Sequence, residues 1–140
     1  MSVVAAHEEV LEFIRNNPRA VFATRRKDGS PQLSPVLAAV DAESRIIIST
    51  RETAMKTRNL LRDPRASICV ITERFFGEWH SADGTVDIVG LPEAMEPLVD
   101  YYRRAVGEHT DWDDYRRAME RDRRVLLRMS IERSGPTVQG

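Results

Sequence analysis

Apolar residues first appear at helical spacing. Val10, Phe13 and Ile14 fall at i, i+3 and i+4 behind His7, Glu8 and Glu9, which predicts an amphipathic helix that ends before Pro18 and plugs one end of the domain. The pattern then changes period. Residues 20–24 and 32–40 flank a polar stretch with an Asp-Gly pair at 28–29 and predict a hairpin. Residues 45–49, Arg-Ile-Ile-Ile-Ser, give a third strand, and three strands in succession favour a meander or barrel. A short helix from Thr53 comes next. The unbroken apolar run at 66–72 predicts a strand buried on both faces, and residues 78–82 and 85–91 predict a second hairpin around Asp83-Gly84. Helical spacing returns at 93–106 and 112–122, with a corner at 107–111. Residues 125–131 supply a closing strand and 132–140 a loose tail.

This is a mainly β pattern with added helices, and 140 residues suit one domain over 1–140. Charge narrows the partners: 21 basic and 22 acidic residues leave a net charge of −1, so no general attraction to nucleic acid or to an anionic membrane is expected. No long apolar stretch opens the chain, and a cytoplasmic location is expected. Cys69 is the single cysteine, so neither an internal disulfide nor a multi-cysteine metal site is available; inside Ser-Ile-Cys-Val-Ile it reads as a small core residue. His7, His80 and His109 lack the short spacings of metal ligands.

The chemistry concentrates between residues 49 and 62. Lys56, Asn59 and Leu60 share one side of the short helix, and Lys56 and Arg58 sit in its first turn, at the positive end of the peptide dipole. Either these cations point to water while Thr53, or Ser49 with Glu52 in capping-box spacing, caps the helix, or they hold an anion beside the hydroxyls of Ser49, Thr50, Thr53 and Thr57. Caps are the commoner use of such residues.

Arg116, Arg117, Arg121, Arg123 and Arg124 look at first like a nucleic-acid surface. Their order argues against it: Asp111, Asp113 and Asp114 open the helix and the arginines close it, matching the dipole at both ends. Trp112, Tyr115 and Met119 form the apolar stripe of a packed, solvated helix.

Three stretches carry a resemblance to a known family: Lys-Thr-Arg-Asn-Leu-Leu-Arg-Asp-Pro-Arg-Ala-Ser-Ile-Cys-Val at 56–70, the hairpin at 21–36, and residues 107–127. Together they resemble the pyridoxamine-phosphate-oxidase-like split-barrel superfamily, and in particular its small actinobacterial deazaflavin-binding branch. The resemblance implies a six-stranded antiparallel split β-barrel with flanking helices, a homodimer, and a cofactor at the dimer interface. It places Thr50, Lys56, Thr57, Arg58 and Asn59 around the cofactor phosphate, and Gln32, Ser34, Pro35 and Val36 beside the ring. Many relatives carry an arginine one or two places before the lysine, where this chain has Ala54 and Met55; Arg51, three places before Ala54, is the alternative cation for the same anion.

The implied activity is that of a deazaflavin (coenzyme F-420)-dependent oxidoreductase, with hydride passing between the cofactor C5 and a small electron-poor substrate. The cofactor supplies the hard chemistry, so an acid–base pair is not required. Local cations such as Lys56, Arg58, Arg25 and Arg26 suit an anionic tail. Two alternatives share the fold: an FMN-dependent oxidoreductase, and a non-catalytic deazaflavin carrier.

Overall fold

A computed structural model describes residues 7–135 and the backbone of 138–139. Helix α1 (Glu8–Asn16) leads into strands β1 (Arg19–Arg25), β2 (Pro31–Leu37), β3 (Ala39–Val40) and β4 (Ile46–Arg51). Helix α2 (Met55–Arg62), strands β5 (Arg65–Ile71) and β6 (Glu78–Val89), and helices α3 (Met95–Ala105) and α4 (Trp112–Arg121) follow. Strands β7 (Arg124–Ser134) and β8 (Val138–Gln139) end the described chain.

The strands form one antiparallel sheet in the order β2-β1-β5-β6-β7-β4-β3, with β8 added beside β6. Its two edges are consecutive in the chain, because β2 and β3 are one strand broken at Ala38. The first half pairs with β1 and the second with β4. That bend curls the sheet into the split barrel, and it is pinned from outside: the Tyr101 hydroxyl donates to the Leu37 carbonyl at 2.8 Å. Counting the bent strand once gives six long strands.

Two cores follow from the alternation of side chains along the strands. Inside the barrel, Phe22, Ile46, Ile48, Ile68, Val70, Leu127 and Met129 meet Val10, Leu11, Phe13 and Ile14 of α1, which plugs one end. Outside, Ile47 and Leu126 meet Leu98, Val99, Tyr101, Tyr115 and Met119 of α3 and α4. The Ile46-Ile47-Ile48 run thus serves both cores, and each fully buried side chain contributes about 1.5–3 kcal/mol.

Four expectations are corrected. Residues 78–89 form one continuous strand with a bulge at Asp83/Gly84 instead of a hairpin. A Cβ at Gly84 would stand 2.0 Å from the Ser130 carbonyl oxygen, so this glycine serves the close approach of β7 rather than a turn. Strand β5 buries only Ala66, Ile68 and Val70; its other face, with Ser67, Cys69 and Ile71, is half-covered, since among the described residues no helix packs closely on β5. Cys69 is therefore outside the core, and partial burial raises its thiol pKa. The tail is more ordered than expected: Glu132 to Ser134 extend β7, and Val138–Gln139 pair with Glu78 and Trp79, while residues 136, 137 and 140 lie outside the described residues. No helix among the described residues is long and apolar enough to cross a membrane.

Candidate functional site

Strand β4 delivers the chain to the start of α2, and the junction is tied down locally. The Thr57 hydroxyl donates to the Arg51 carbonyl at 2.7 Å, and the Glu52 amide donates to the Arg123 carbonyl at 2.9 Å. Helix α2 begins after Ala54, and no side chain caps it. The expected caps fail for a simple reason: β4 runs on to Arg51, so Ser49 lies within the strand and Thr53 stops short of the cap position. Among the described residues the first amides of α2 have no side-chain acceptor and its first turn carries no acid, so the positive end of the helix dipole is left without a cap.

The predicted phosphate-side residues divide by their environment. Thr50, Thr57 and Asn59 are buried, Lys56 is half-buried, and Arg58 is exposed on the far side of the helix. Burial and the neighbouring Arg124 guanidinium together lower the Lys56 pKa. Arg124 opens β7 directly opposite Arg51 of β4. Like charges placed opposite each other across a sheet are destabilising. Among the described residues, no carboxylate lies within 4.0 Å of Arg51, Lys56 or Arg124. The Nε of Arg124 is buried and has no hydrogen-bond partner. The hairpin cations are used differently: Arg26 donates to the Pro31 carbonyl within its own turn.

A hydrogen-bonded relay links this helix to β2. Asn59 Nδ2 donates to the Thr24 hydroxyl at 3.1 Å, and that hydroxyl donates to Gln32 Oε1 at 3.3 Å. Arg62 holds the other end of the amide, donating to Asn59 Oδ1 at 3.1 Å. Along β2, alternation splits the ring-side residues. Gln32, Ser34 and Val36 are half-buried, with Val36 against the barrel core, whereas Leu33, Pro35 and Leu37 face outward. The Ser34 hydroxyl is buried without a partner.

Two grooves flank these elements. One, of about 370 Å³, is lined by Glu52, Thr57, Leu61, Leu91, Arg123 and Arg124. The other, of about 420 Å³, lies along Arg19, Val21, Pro35, Val36, Leu37 and Ile71. The first holds part of the phosphate-side set and the second part of the ring-side set. Arg124 escaped the sequence reading because it was grouped with the end of α4; moving the strand start back by one residue places it opposite Arg51.

Residues 6–136 match the family described as Pyridoxamine 5'-phosphate oxidase. The chain belongs to this family. Among solved structures, this pyridoxamine 5'-phosphate oxidase family member is similar to the conserved hypothetical protein Rv2991 from Mycobacterium tuberculosis, at 28% identity and a TM-score of 0.74, with 96% of this chain and 82% of that one covered. An F-420 reductase shares the fold at 23% identity and a TM-score of 0.68, covering 89% of this chain and 94% of that one. HutZ, the heme storage protein from Vibrio cholerae, shares it at 17% identity and a TM-score of 0.68, with 95% of each chain covered.

Proposed function

We propose that this protein is a deazaflavin (coenzyme F-420)-dependent oxidoreductase, working as a homodimer with the cofactor at the interface. The carrying observation is the uncapped start of α2 beside Lys56, joined through Asn59 and Thr24 to Gln32 on β2. A family member with cations at one end of such a relay and a buried, unpartnered Ser34 hydroxyl at the other suits a long cofactor with an anionic tail and a polar ring. The fold neighbour that is an F-420 reductase favours a deazaflavin in this role.

Lys56 and the α2 amides hold the anionic tail, while Gln32, Ser34 and the β2 backbone orient the ring. When bound, the cofactor supplies hydride transfer at its C5. The chain positions it, shields it from water, and leaves one ring face for a small electron-poor substrate. A dimer fits the outer face of β1 and β2, where Val21, Leu33 and Leu37 are exposed among the described residues.

FMN is the second candidate. It is favoured by the concentration of positive charge at Arg51, Lys56 and Arg124, which suits a phosphate monoester. Single-turnover oxidation of reduced coenzyme F-420 by a panel of quinone, nitro and enone acceptors tests the activity. Acceptor-dependent loss of the reduced cofactor at a rate well above the protein-free control is expected. Binding with no turnover of any acceptor makes the protein a carrier.

A further inference from the structure

Resting on the cofactor reading above, we infer that Arg124, assisted by Arg51, is the second cationic arm of the site that Lys56 begins, and that it grips the cofactor phosphate from the side of α3 and α4.

The case rests on what surrounds the guanidinium. Arg124 faces outward with Leu126, towards the second core, and its electrostatic neighbours there are Lys56 and the phenols of Tyr101 and Tyr115. Both phenols stay neutral: burial raises the Tyr101 pKa and pushes that of Tyr115 up to about 12. Each hydroxyl is also committed as a donor, Tyr101 to the Leu37 carbonyl and Tyr115 to the Leu98 carbonyl. Glu52 lines the same groove but forms no ion pair with Arg124 or Lys56 among the described residues.

Arg128, four residues along the same face of β7, is an internal control. Its Nε is also buried and unpartnered, but its groove is lined by three carboxylates, Asp41 and Glu43 paired with Arg45 and Asp100 paired with Arg104. The groove of Arg124 is lined by a single carboxylate, Glu52, against two arginines, Arg123 and Arg124. Arg124 lies opposite Arg51 and beside Lys56, and among the described residues no carboxylate comes within 4.0 Å of any of the three; a partly buried charge without a close counter-ion is costly. A bound phosphate removes that cost, and its oxygens accept from several of these donors at once.

The test compares wild type with Arg124→Met, which keeps the apolar stem, and Arg124→Lys, which keeps the charge. Each is titrated by fluorescence with coenzyme F-420 and with its chromophore truncated before the phosphate, and likewise with FMN and riboflavin. Thermal melts in inorganic phosphate against chloride at equal ionic strength probe the anion alone. In Arg124→Met, the preferred phosphate-bearing cofactor should bind about ten- to a hundredfold more weakly, with its phosphate-free counterpart changed less than twofold. Arg124→Lys should recover part of the loss. Equal affinity of wild type and Arg124→Met for the phosphate-bearing cofactor, or equal losses with and without the phosphate, would overturn the assignment. If wild type binds no cofactor yet phosphate raises its melting temperature only when Arg124 is present, the anion site stands and the cofactor reading fails. If phosphate protects neither and no cofactor binds, both fail.

Discussion

The side-chain amide of Asn59 donates to the Thr24 hydroxyl at 3.1 Å, joining helix and strand across 35 residues of chain. Both side chains are buried, and Asn59 also accepts from Arg62, so the contact fixes the angle at which α2 meets the barrel. Replacing Asn59 with leucine leaves Thr24 and Arg62 each short of a partner. Urea unfolding of Asn59→Leu should show a loss of about 1–3 kcal/mol. An unchanged midpoint would mean that the relay does not hold the helix.

Lys56 carries a prediction in both affinity and pH. Lys56→Ala should weaken binding of the anionic cofactor by about 1.5–3 kcal/mol, the range for hydrogen bonds to charged groups. The Lys56 pKa is lowered in the folded protein, first by burial and then by Arg124. Between that lowered value and the ordinary 10.5, the unfolded chain holds the proton and the folded chain does not, so this residue makes stability rise with pH there. Cofactor affinity should move the opposite way, falling as the ammonium is lost on passing through the folded pKa. The chain has only Lys27 and Lys56, so NMR of labelled lysine side chains resolves the titration directly. A Lys56 that titrates at or above 10.5 without ligand contradicts this.

Leu33 projects from the outer face of β2 with 61% of its surface exposed, alongside Leu37 and Val21. If this face is the dimer contact, Leu33→Asp buries a charge in it and should yield a monomer by light scattering with the secondary structure retained. A wild-type monomer at micromolar concentration, or a Leu33→Asp dimer as stable as wild type, would assign the dimer elsewhere or remove it.

Gly84→Ala tests the bulge. The added methyl meets the backbone of Ser130, which has little freedom to retreat, so a loss of about 1–3 kcal/mol is expected in thermal or urea unfolding. Gly90, where an added Cβ would meet nothing within 4 Å and the backbone is not in the left-handed region, is the matched comparison for steric cost.

What was legible in the sequence was whatever periodicity encodes. The helix with Val10, Phe13 and Ile14, the first hairpin and the Ile46-Ile47-Ile48 strand all follow from spacing, and the barrel follows from their succession. What failed was local chemistry with two uses. Asp83-Gly84 has the composition of a hairpin turn, but here the glycine makes room for a neighbouring strand that no local pattern reveals. Ser49 and Glu52 have capping-box spacing, but the strand runs through Ser49 and the helix starts later. In the candidate site, Lys56, Asn59 and Gln32 were visible as residues, while the relay through Thr24 was not, since it depends on tertiary distance. Arg124 was hidden by a single-residue shift in a strand boundary, which turned a member of a cation cluster into the end of a solvated helix.

The most direct measurement is a side-by-side equilibrium titration of the ligand-free protein with coenzyme F-420 and with FMN, at fixed ionic strength, following Trp79 and Trp112 fluorescence. Saturable binding of coenzyme F-420 at one molecule per chain, tighter than FMN, is the predicted result. A preference for FMN would make this a flavoprotein of the same fold, and binding of neither would contradict the account.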